Sequence, residues 1–236
     1  DLKDFYTGKL REKDSWYANN RAYLLFVLSE AGHGEVGLTN NLYEDKKLLG
    51  NGGKAYLTMT LKTLTPGAVD KIDQLVKELE SQARIDTRGT YIRNDAGSSF
   101  EMMTNTKVTA LVLQAFDRIH PDHPLMARLV KWLIAQRKDG HWETTQENAS
   151  ALIALTEYLQ IHKELDAEYK AKVSIGGKVV KEYAVNAKNV LDSKEIKQSL
   201  GNFDRGGSGT PIVFSKDGKG RLYYDIALKY FLPIEK

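Results

Sequence analysis

Hydrophobic residues recur at helical spacing along roughly the first two thirds of the chain. From residue 16 to about 161, apolar positions are three or four residues apart, and glycine or proline separates the segments. This pattern predicts a series of helical hairpins. One segment carries a single apolar stripe, so we expect it to pack by one face. The stripe consists of Val108, Leu111, Val112, Ala115, Phe116 and Ile119, with Lys107, Gln114, Asp117 and Arg118 off it.

A second amphipathic segment follows residue 65. Thr65 precedes Pro66, and a hydroxyl side chain before proline is typical of a helix start, so the sequence predicts a helix beginning there. Charged residues occupy the face opposite the apolar stripe. The stripe consists of Val69, Ile72, Leu75, Val76, Leu79 and Ala83, with Lys71, Asp73, Lys77, Glu78 and Glu80 turned outward.

Two further segments, 22–28 and 149–155, are apolar around most of the helix circumference. Such helices must be covered on both sides. Inner helices covered on two sides and outer helices covered on one side are the arrangement of a concentric α/α toroid. The periodicity indicates about seven helices, fewer than the roughly twelve of a closed ring, so we expect the chain to begin partway round such a ring.

Two regions carry β patterns. Residues 84–93 break the helical period around Gly89, which predicts a small hairpin. After residue 166 the hydrophobic period becomes two, and alternation on both sides of Gly176 and Gly177 indicates a β-hairpin. More alternation at 211–214 and 220–232, with a turn at 216–219 between them, predicts further strands. We therefore expect an α + β chain of two domains: a partial α/α toroid over 1–166, and a small antiparallel β-sandwich over 167–236.

Composition excludes several classes of protein. Hydrophobic residues make up 42% of the 236 residues and charged residues 28%, which is ordinary for a globular protein. With no cysteine, this chain holds no disulfide, thiolate metal site or cysteine nucleophile. No apolar run reaches the roughly 18 residues of a membrane span. The net charge is +3, and the basic excess of 167–236 is spread along alternating strands, which favours a solvated surface over nucleic-acid binding.

Residues 132–155 hold the most informative pattern. Thr144 and Glu147 have the spacing of a capping box, in which each side chain bonds a backbone N–H at the helix start. Gly140 suits a left-handed turn that ends the preceding helix, and Trp142 is large enough to fill the space between helix ends. These structural roles account for the residue types without any reaction.

The same run resembles a known family. An apolar helix rich in alanine and leucine follows the turn, as in the late helical hairpin of the thioester-containing domain of the α2-macroglobulin and complement family. The segment 106–125 is similar to the bacterial branch, and 218–224 resembles the glycine-then-aromatic strand of its last β domain. The residues that match the family's turn are Gly140, Trp142, Thr144, Thr145, Gln146 and Glu147.

The resemblance implies a broad-spectrum endopeptidase inhibitor that traps proteases. In the family, cleavage of a bait segment triggers a rearrangement, and a buried Cys-Gln thioester can bond the captured protease. Because this chain has no cysteine, the implied role is to pack against upstream domains and shield a thioester outside it, with Tyr223, Tyr224 or the loop 204–208 as shielding candidates. The resemblance also implies no enzymatic activity, no cofactor, target proteases as partners, and a periplasmic or extracellular location without direct membrane insertion.

Two alternatives remain open from the residues. Gln136, Gly140 and Trp142 match the short glutamine–tryptophan signature of isoprenoid cyclases, which share the toroid architecture. Such an enzyme needs an acidic cluster or zinc, and a glycoside hydrolase on the same fold needs two facing carboxylates. Asp139 and Glu143 lie on either side of the turn, which favours solvated side chains. The other alternative is an interaction module with no inhibitory role. The histidines follow no metal-ligand spacing; they are His33, His120, His123, His141 and His162.

Overall fold

The computed structural model describes residues 15–95, 103–199, 203, 209–224 and 226–228. The chain divides into two compact units, Asp1–His162 and Lys163–Lys236. We call them the helical unit and the sheet unit. The division lies close to residue 166, where the hydrophobic period of the sequence changes from helical to alternating.

Seven α-helices lie in the described part of the helical unit, as the periodicity predicts. They are α1 (Ser15–Glu30), α2 (Val36–Glu44), α3 (Asn51–Leu64), α4 (Val69–Ser81), α5 (Asn105–Ile119), α6 (Met126–Ala135) and α7 (Thr145–Ile161). A 3₁₀ turn, Lys46–Leu48, precedes α3. Among the residues the structure describes, no helix combines the length and the apolar character needed to cross a membrane.

The odd-numbered helices form an inner row. Helix α1 packs against α3, α3 against α5, and α5 against α7. The even-numbered helices lie outside this row, where α2 contacts α1 and α3, α4 contacts α3, and α6 contacts α5. This alternation is the packing of a partial α/α toroid. The predicted fold class, helical hairpins followed by antiparallel β structure, is therefore confirmed.

Helix α5 corrects the prediction that it packs by one face. Every residue from Thr106 to Asp117 is buried, including Lys107, Gln114 and Asp117, which we placed on the outer face. The reason is position, because α5 lies in the middle of the inner row and contacts α3, α6, α7 and a β-strand. Periodicity reports the most apolar face of a helix, but it does not report how many neighbours surround it.

Helix α4 has the predicted amphipathic character but not the predicted start. Ile72, Leu75 and Leu79 are buried along one face, while Val69 is exposed. The helix begins at Val69. Thr65 instead ends α3, because its backbone N–H and its hydroxyl both donate to the carbonyl of Leu61, at 2.8 and 3.2 Å. The Thr-Pro pair therefore marks the end of one helix rather than the start of the next.

The two helices predicted to be covered on both sides lie at the ends of the inner row of the described structure, where one side of each is exposed. In α1, Tyr23 and Val27 are 45% and 43% exposed, and in α7, Leu152 and Ile153 are 57% and 53% exposed. Among the described elements, α1 packs in this row against α3, and α7 against α5. The apolar residues on the other side of each helix therefore remain at the surface of the described structure.

The small hairpin predicted at 84–93 is confirmed, with β1 (Ala83–Asp86) antiparallel to β2 (Gly89–Ile92). It lies against α6, where the ring of Tyr91 stacks on Trp132 at a centroid distance of 5.0 Å. The Asp86 carboxylate accepts hydrogen bonds from both the hairpin turn and helix α6. The donors are the backbone N–H groups of Arg88 and Gly89, and the indole Nε1 of Trp132 at 2.9 Å.

The Asp86 carboxylate should make this hairpin sensitive to acid. Burial raises the pKa of Asp86, but the three hydrogen bonds and the positive charge of Arg88 together outweigh burial and hold the pKa below its ordinary value. A group whose pKa is lower in the folded state stabilises the fold above its unfolded pKa, here about 4, and loses that contribution as the pH falls through the folded pKa. We expect Asp86→Ala to cost about 1 kcal/mol at neutral pH, measured by urea denaturation.

Asp86→Asn serves as the control, because it retains an oxygen acceptor for the turn. The difference in stability between the wild type and Asp86→Asn should shrink below about pH 4. A difference that stays constant from neutral to acidic pH would show that the charge of Asp86 plays no part.

The sheet unit contains a three-stranded antiparallel sheet, with β3 between the other two strands. The strands are β3 (Glu168–Ile175), β4 (Lys178–Val185) and β5 (Ile212–Lys219), in the order β4-β3-β5. A 3₁₀ turn, Glu164–Asp166, precedes β3. The predicted hairpin is confirmed, with Gly176 and Gly177 at its turn in left-handed conformations.

One face of the sheet is apolar and the other polar. Tyr169, Ala171 and Val173 of β3 are buried on the apolar face. In the described part of this unit, Val190 and Leu222 pack against the cluster that contains Tyr169 and Ala171, and both come from segments outside the strands. On the polar face Lys172 pairs with Glu182 at 3.1 Å. The alternation along β3 is the one the sequence predicts.

Two β predictions are wrong. The turn expected at 216–219 is part of β5, which pairs with β3 as far as Lys219 opposite Glu168. The Asp217-Gly218 pair resembles a turn, but Gly218 instead allows a close approach of the two strands. The strand expected at 220–232 is not formed at residues 220–224 and 226–228. The side chains of residues 221–224 contact Glu164, the apolar cluster and Phe214. The other residues of that prediction lie outside the described residues.

Candidate functional site

The family-like turn, residues 136–148, connects α6 to α7. Lys138 and His141 exchange two backbone hydrogen bonds, of 2.9 and 3.1 Å. The two residues between them, Asp139 and Gly140, have φ values of 51° and 88°. Two consecutive left-handed residues form the type of turn that favours an Asp-Gly pair. Gly140 is therefore left-handed as predicted, but it does not end the helix, because α6 has already ended at Ala135.

Trp142 fills the space beneath this turn. Its side chain is 4% exposed, and its indole Nε1 donates to the carbonyl of Leu133 in the last turn of α6 at 2.9 Å. The guanidinium of Arg137 lies 5.5 Å from the indole centroid and donates to the carbonyl of Gly140. The large apolar side chain thus occupies the place predicted for it, and its one polar atom has a partner.

The predicted capping box is present at the start of α7. The backbone N–H of Glu147 donates to the Thr144 hydroxyl at 3.1 Å, and the backbone N–H of Thr144 donates to the Glu147 carboxylate at 3.2 Å. Glu147 is buried, whereas Thr145 and Gln146 between them are exposed. The six family-like residues therefore form one turn, with four of them building it and two presenting side chains to solvent.

The structural role of Asn148 in this turn was not predicted, although the run Gln146 to Asn148 is part of the resemblance to the bacterial branch. The Oδ1 of Asn148 accepts from the backbone N–H of Trp142 at 3.1 Å, and its Nδ2 donates to the carbonyls of Trp142 and Thr144 at 2.8 and 2.7 Å. One side-chain amide thus holds the main chain on both sides of Glu143. No sequence signal separates this asparagine from a solvated one in the first turn of a helix.

Replacing Asn148 by alanine should destabilise the turn. It removes the partner of one backbone N–H and two carbonyls, so we expect a loss of about 1–3 kcal/mol in the free energy of unfolding, measured by urea denaturation. Asn148→Asp is the matched control: it can still accept from Trp142 but cannot donate to the two carbonyls. Equal stability of the alanine variant and the wild type would show that the amide bonds contribute nothing net.

Tyr223 and Tyr224 lie in the sheet unit and differ in their contacts. The Tyr223 hydroxyl donates to Oε1 of Glu164 at 3.1 Å, whereas the Tyr224 ring stacks on Phe214 at a centroid distance of 4.1 Å. They are 42% and 55% exposed. Part of each tyrosine side chain is thus exposed to a partner, while another part is fixed by its contact with Glu164 or Phe214. The loop 204–208, the other shielding candidate, lies outside the described residues.

The histidines have local roles. Nε2 of His162 lies 2.9 Å from Oδ1 of the buried Asp117, and Nδ1 of His141 lies 2.9 Å from the carbonyl of Trp142. His120 lies 3.2 Å from Asp73. Within residues 15–95, 103–199 and the described positions after 199, no group of three histidines or carboxylates has the geometry to hold a metal ion.

Burial and the nearby charge of Glu80 shift the pKa of His123 in opposite directions. Burial lowers the pKa of His123 and outweighs the attraction of Glu80, 3.8 Å away.

The two carboxylates considered for an enzyme, Asp139 and Glu143, are exposed.

Comparisons with known proteins agree with the resemblance seen in the sequence. No protein-family model matches the chain. A curated relative, the alpha-2-macroglobulin homolog of Nostoc sp. (strain PCC 7120), is 27% identical over 209 residues, which cover 88% of this chain and 11% of the relative. A solved structure of Escherichia coli alpha-2-macroglobulin activated by porcine elastase aligns with a TM-score of 0.51 at 16% identity, covering 80% of this chain and 17% of that one. The chain thus spans about a tenth of the curated relative's length, and its resemblance to the bacterial alpha-2-macroglobulin family is confirmed.

Proposed function

We propose that this chain is a structural part of an alpha-2-macroglobulin-like endopeptidase inhibitor that traps proteases. The observation that carries the proposal is the sequence similarity to an alpha-2-macroglobulin homolog, which extends over 88% of the chain. The similar solved structure is of a protein activated by porcine elastase, so an endopeptidase is the partner proposed for the full-length protein. The proposed location, where such proteases are met, is periplasmic or extracellular.

The helical unit is proposed to act as a rigid wall rather than as a reactive centre. Its inner row is closely packed, and α5 is buried on all sides. The turn at 136–148 is fixed by the buried Trp142, the capping box and the amide of Asn148. These contacts hold the turn and the helices next to it in one conformation. A trap requires such rigidity of the domains that surround its reactive part.

The sheet unit is proposed to shield a thioester that lies in an upstream domain of the same protein. Thioesters hydrolyse when water reaches them, so a shield must present apolar surface. Tyr223 and Tyr224 supply such surface, because each exposes about half of its side chain while one part of it is fixed within the unit. The chain itself has no cysteine, so a Cys-x-Glu-Gln motif in the upstream domains is part of this proposal.

Trapping is tested by comparing two substrates of one protease. The full-length protein is mixed with a broad-specificity endopeptidase, and cleavage of a large protein substrate and of a small peptide substrate is followed. A trap excludes the large substrate only, so we expect protection of the protein while peptide cleavage continues. Equal loss of both activities would indicate a blocked protease active site. Loss of neither would favour an interaction module without inhibitory role.

Shielding is tested by the lifetime of the thioester. With both Tyr223 and Tyr224 replaced by alanine, we expect faster appearance of a free thiol in the full-length protein, because water reaches the thioester more often. Replacement of both tyrosines by phenylalanine is the matched control, since it keeps the rings and removes only the hydroxyl groups. Equal rates of thiol appearance in the wild type and the alanine variant would contradict the shielding role.

A further inference from the structure

Glu164 carries a buried carboxylate in the sheet unit. Glu164 opens the 3₁₀ turn before β3, and its side chain is only 6% exposed. A buried carboxylate is costly unless hydrogen-bond donors or cations satisfy it. Here Oε1 accepts from the Tyr223 hydroxyl at 3.1 Å and lies 3.4 Å from Nη1 of Arg221.

Both of these partners come from the segment 221–224, which belongs to none of the strands. Its side chains contact two different parts of the unit. Arg221 and Tyr223 reach Glu164, whereas Leu222 packs against the cluster that contains Tyr169, and Tyr224 stacks on Phe214 of β5. Because the four residues are consecutive in the chain, fixing Arg221 and Tyr223 also limits where Leu222 and Tyr224 can lie.

We propose that Glu164 is a positioning residue that holds the Tyr223–Tyr224 pair, and that Tyr224 is the ring presented to the thioester region. Tyr224 is the more exposed of the two, at 55%, and its other face rests on Phe214 with an interplanar angle of 12°. Tyr223 links the pair to Glu164 through its hydroxyl. This inference rests on the proposed shielding function, and it names the residue outside the tyrosine pair on which that function depends.

Trypsin coupled to beads reports the position of the segment directly, because it cleaves after Arg221 and is too large to be enclosed by the proposed trap. All variants share the same bait segment, so its cleavage does not distinguish them. In the full-length protein, Glu164→Gln keeps an oxygen acceptor but removes the charge, and Glu164→Ala removes both. We expect limited cleavage after Arg221, identified by the masses of the products, to be slowest in the wild type and fastest in the alanine variant, with a total increase of about tenfold. Glu182→Gln, which removes an exposed carboxylate paired with Lys172, should leave the rate unchanged.

Faster cleavage in the Glu164 variants could reflect loss of the Arg221–Glu164 pair alone or loosening of the whole segment 221–224. The variant Tyr223→Phe distinguishes these two causes. This variant leaves the Arg221–Glu164 pair intact and removes only the hydroxyl bond. Faster cleavage after Arg221 in this variant supports the view that the whole segment is held through Glu164. Cleavage unchanged in both Glu164 variants would overturn the inference, whatever the outcome for thioester hydrolysis.

A second experiment measures the rate at which a free thiol appears in the same full-length variants. If Glu164 acts through the tyrosines, Glu164→Ala should speed thiol appearance, but it should add nothing when Tyr223 and Tyr224 are already alanine, because residues acting as one unit are not additive. A further increase in that triple variant would show that Glu164 acts elsewhere, and would overturn the inference. If cleavage responds to Glu164 while the tyrosine variants leave thiol appearance unchanged, the shielding function fails and the positioning by Glu164 stands.

Discussion

Replacing Trp142 by alanine is expected to lower the free energy of unfolding of the helical unit by about 3–5 kcal/mol. The side chain is 4% exposed, so its loss leaves a cavity beneath the turn. The variant also leaves the Leu133 carbonyl without its indole donor. Urea denaturation followed by circular dichroism measures the loss.

Trp142→Phe separates the two contributions of this side chain. Phenylalanine keeps most of the apolar volume and lacks the indole N–H, so we expect a loss of about 1–2 kcal/mol, well below that of alanine. A loss under about 1 kcal/mol for the alanine variant would contradict the view that Trp142 joins α6 to α7.

The second large effect is expected at Gly218. A Cβ at this position would overlap the carbonyl oxygen of Glu168 and lie 2.9 Å from the Cα of Tyr169. Backbone atoms of the central strand cannot move aside as a flexible side chain can. The φ of Gly218 is +115°, a conformation that L-residues rarely adopt. We therefore expect Gly218→Ala to destabilise the sheet unit by about 2–4 kcal/mol.

Gly177 offers a matched control in the same unit. It also has a positive φ, of +79°, but no atom lies within 4 Å of the position that a Cβ would take. Gly177→Ala therefore reports the conformational cost alone, about 1 kcal/mol. Equal destabilisation by the two variants in thermal unfolding would show that the contact with β3 contributes nothing at Gly218.

Features with local causes were predictable from the sequence. The capping box of Thr144 and Glu147 follows from residue types three positions apart, and the hairpins around Gly89 and Gly177 follow from alternation next to a flexible turn. The buried Trp142 followed from its size and its place between two helices. Each of these signals arises within about ten residues, where chain geometry leaves few alternatives.

Features that depend on distant neighbours were not predictable. Lys107 and Asp117 lie on the polar side of α5, yet both are buried, because α7 and the other neighbours cover that side as well. The Asp217-Gly218 pair has turn composition, yet it lies within β5 because the glycine lets that strand pass close to Tyr169. The links made by Asn148 and Glu164 depend equally on which backbone or side-chain groups the fold brings to them.

The complete enclosure of α5 has a consequence for the order in which the helical unit opens. Its amide hydrogens exchange with solvent only when the neighbouring helices separate, so they should exchange at the rate of global unfolding of the unit. In the described part of the chain, α1 and α7 have one inner-row neighbour each, and we expect them to exchange through smaller local openings. If the full-length protein traps proteases as proposed, the middle of the row would therefore be the part of the helical unit that opens last.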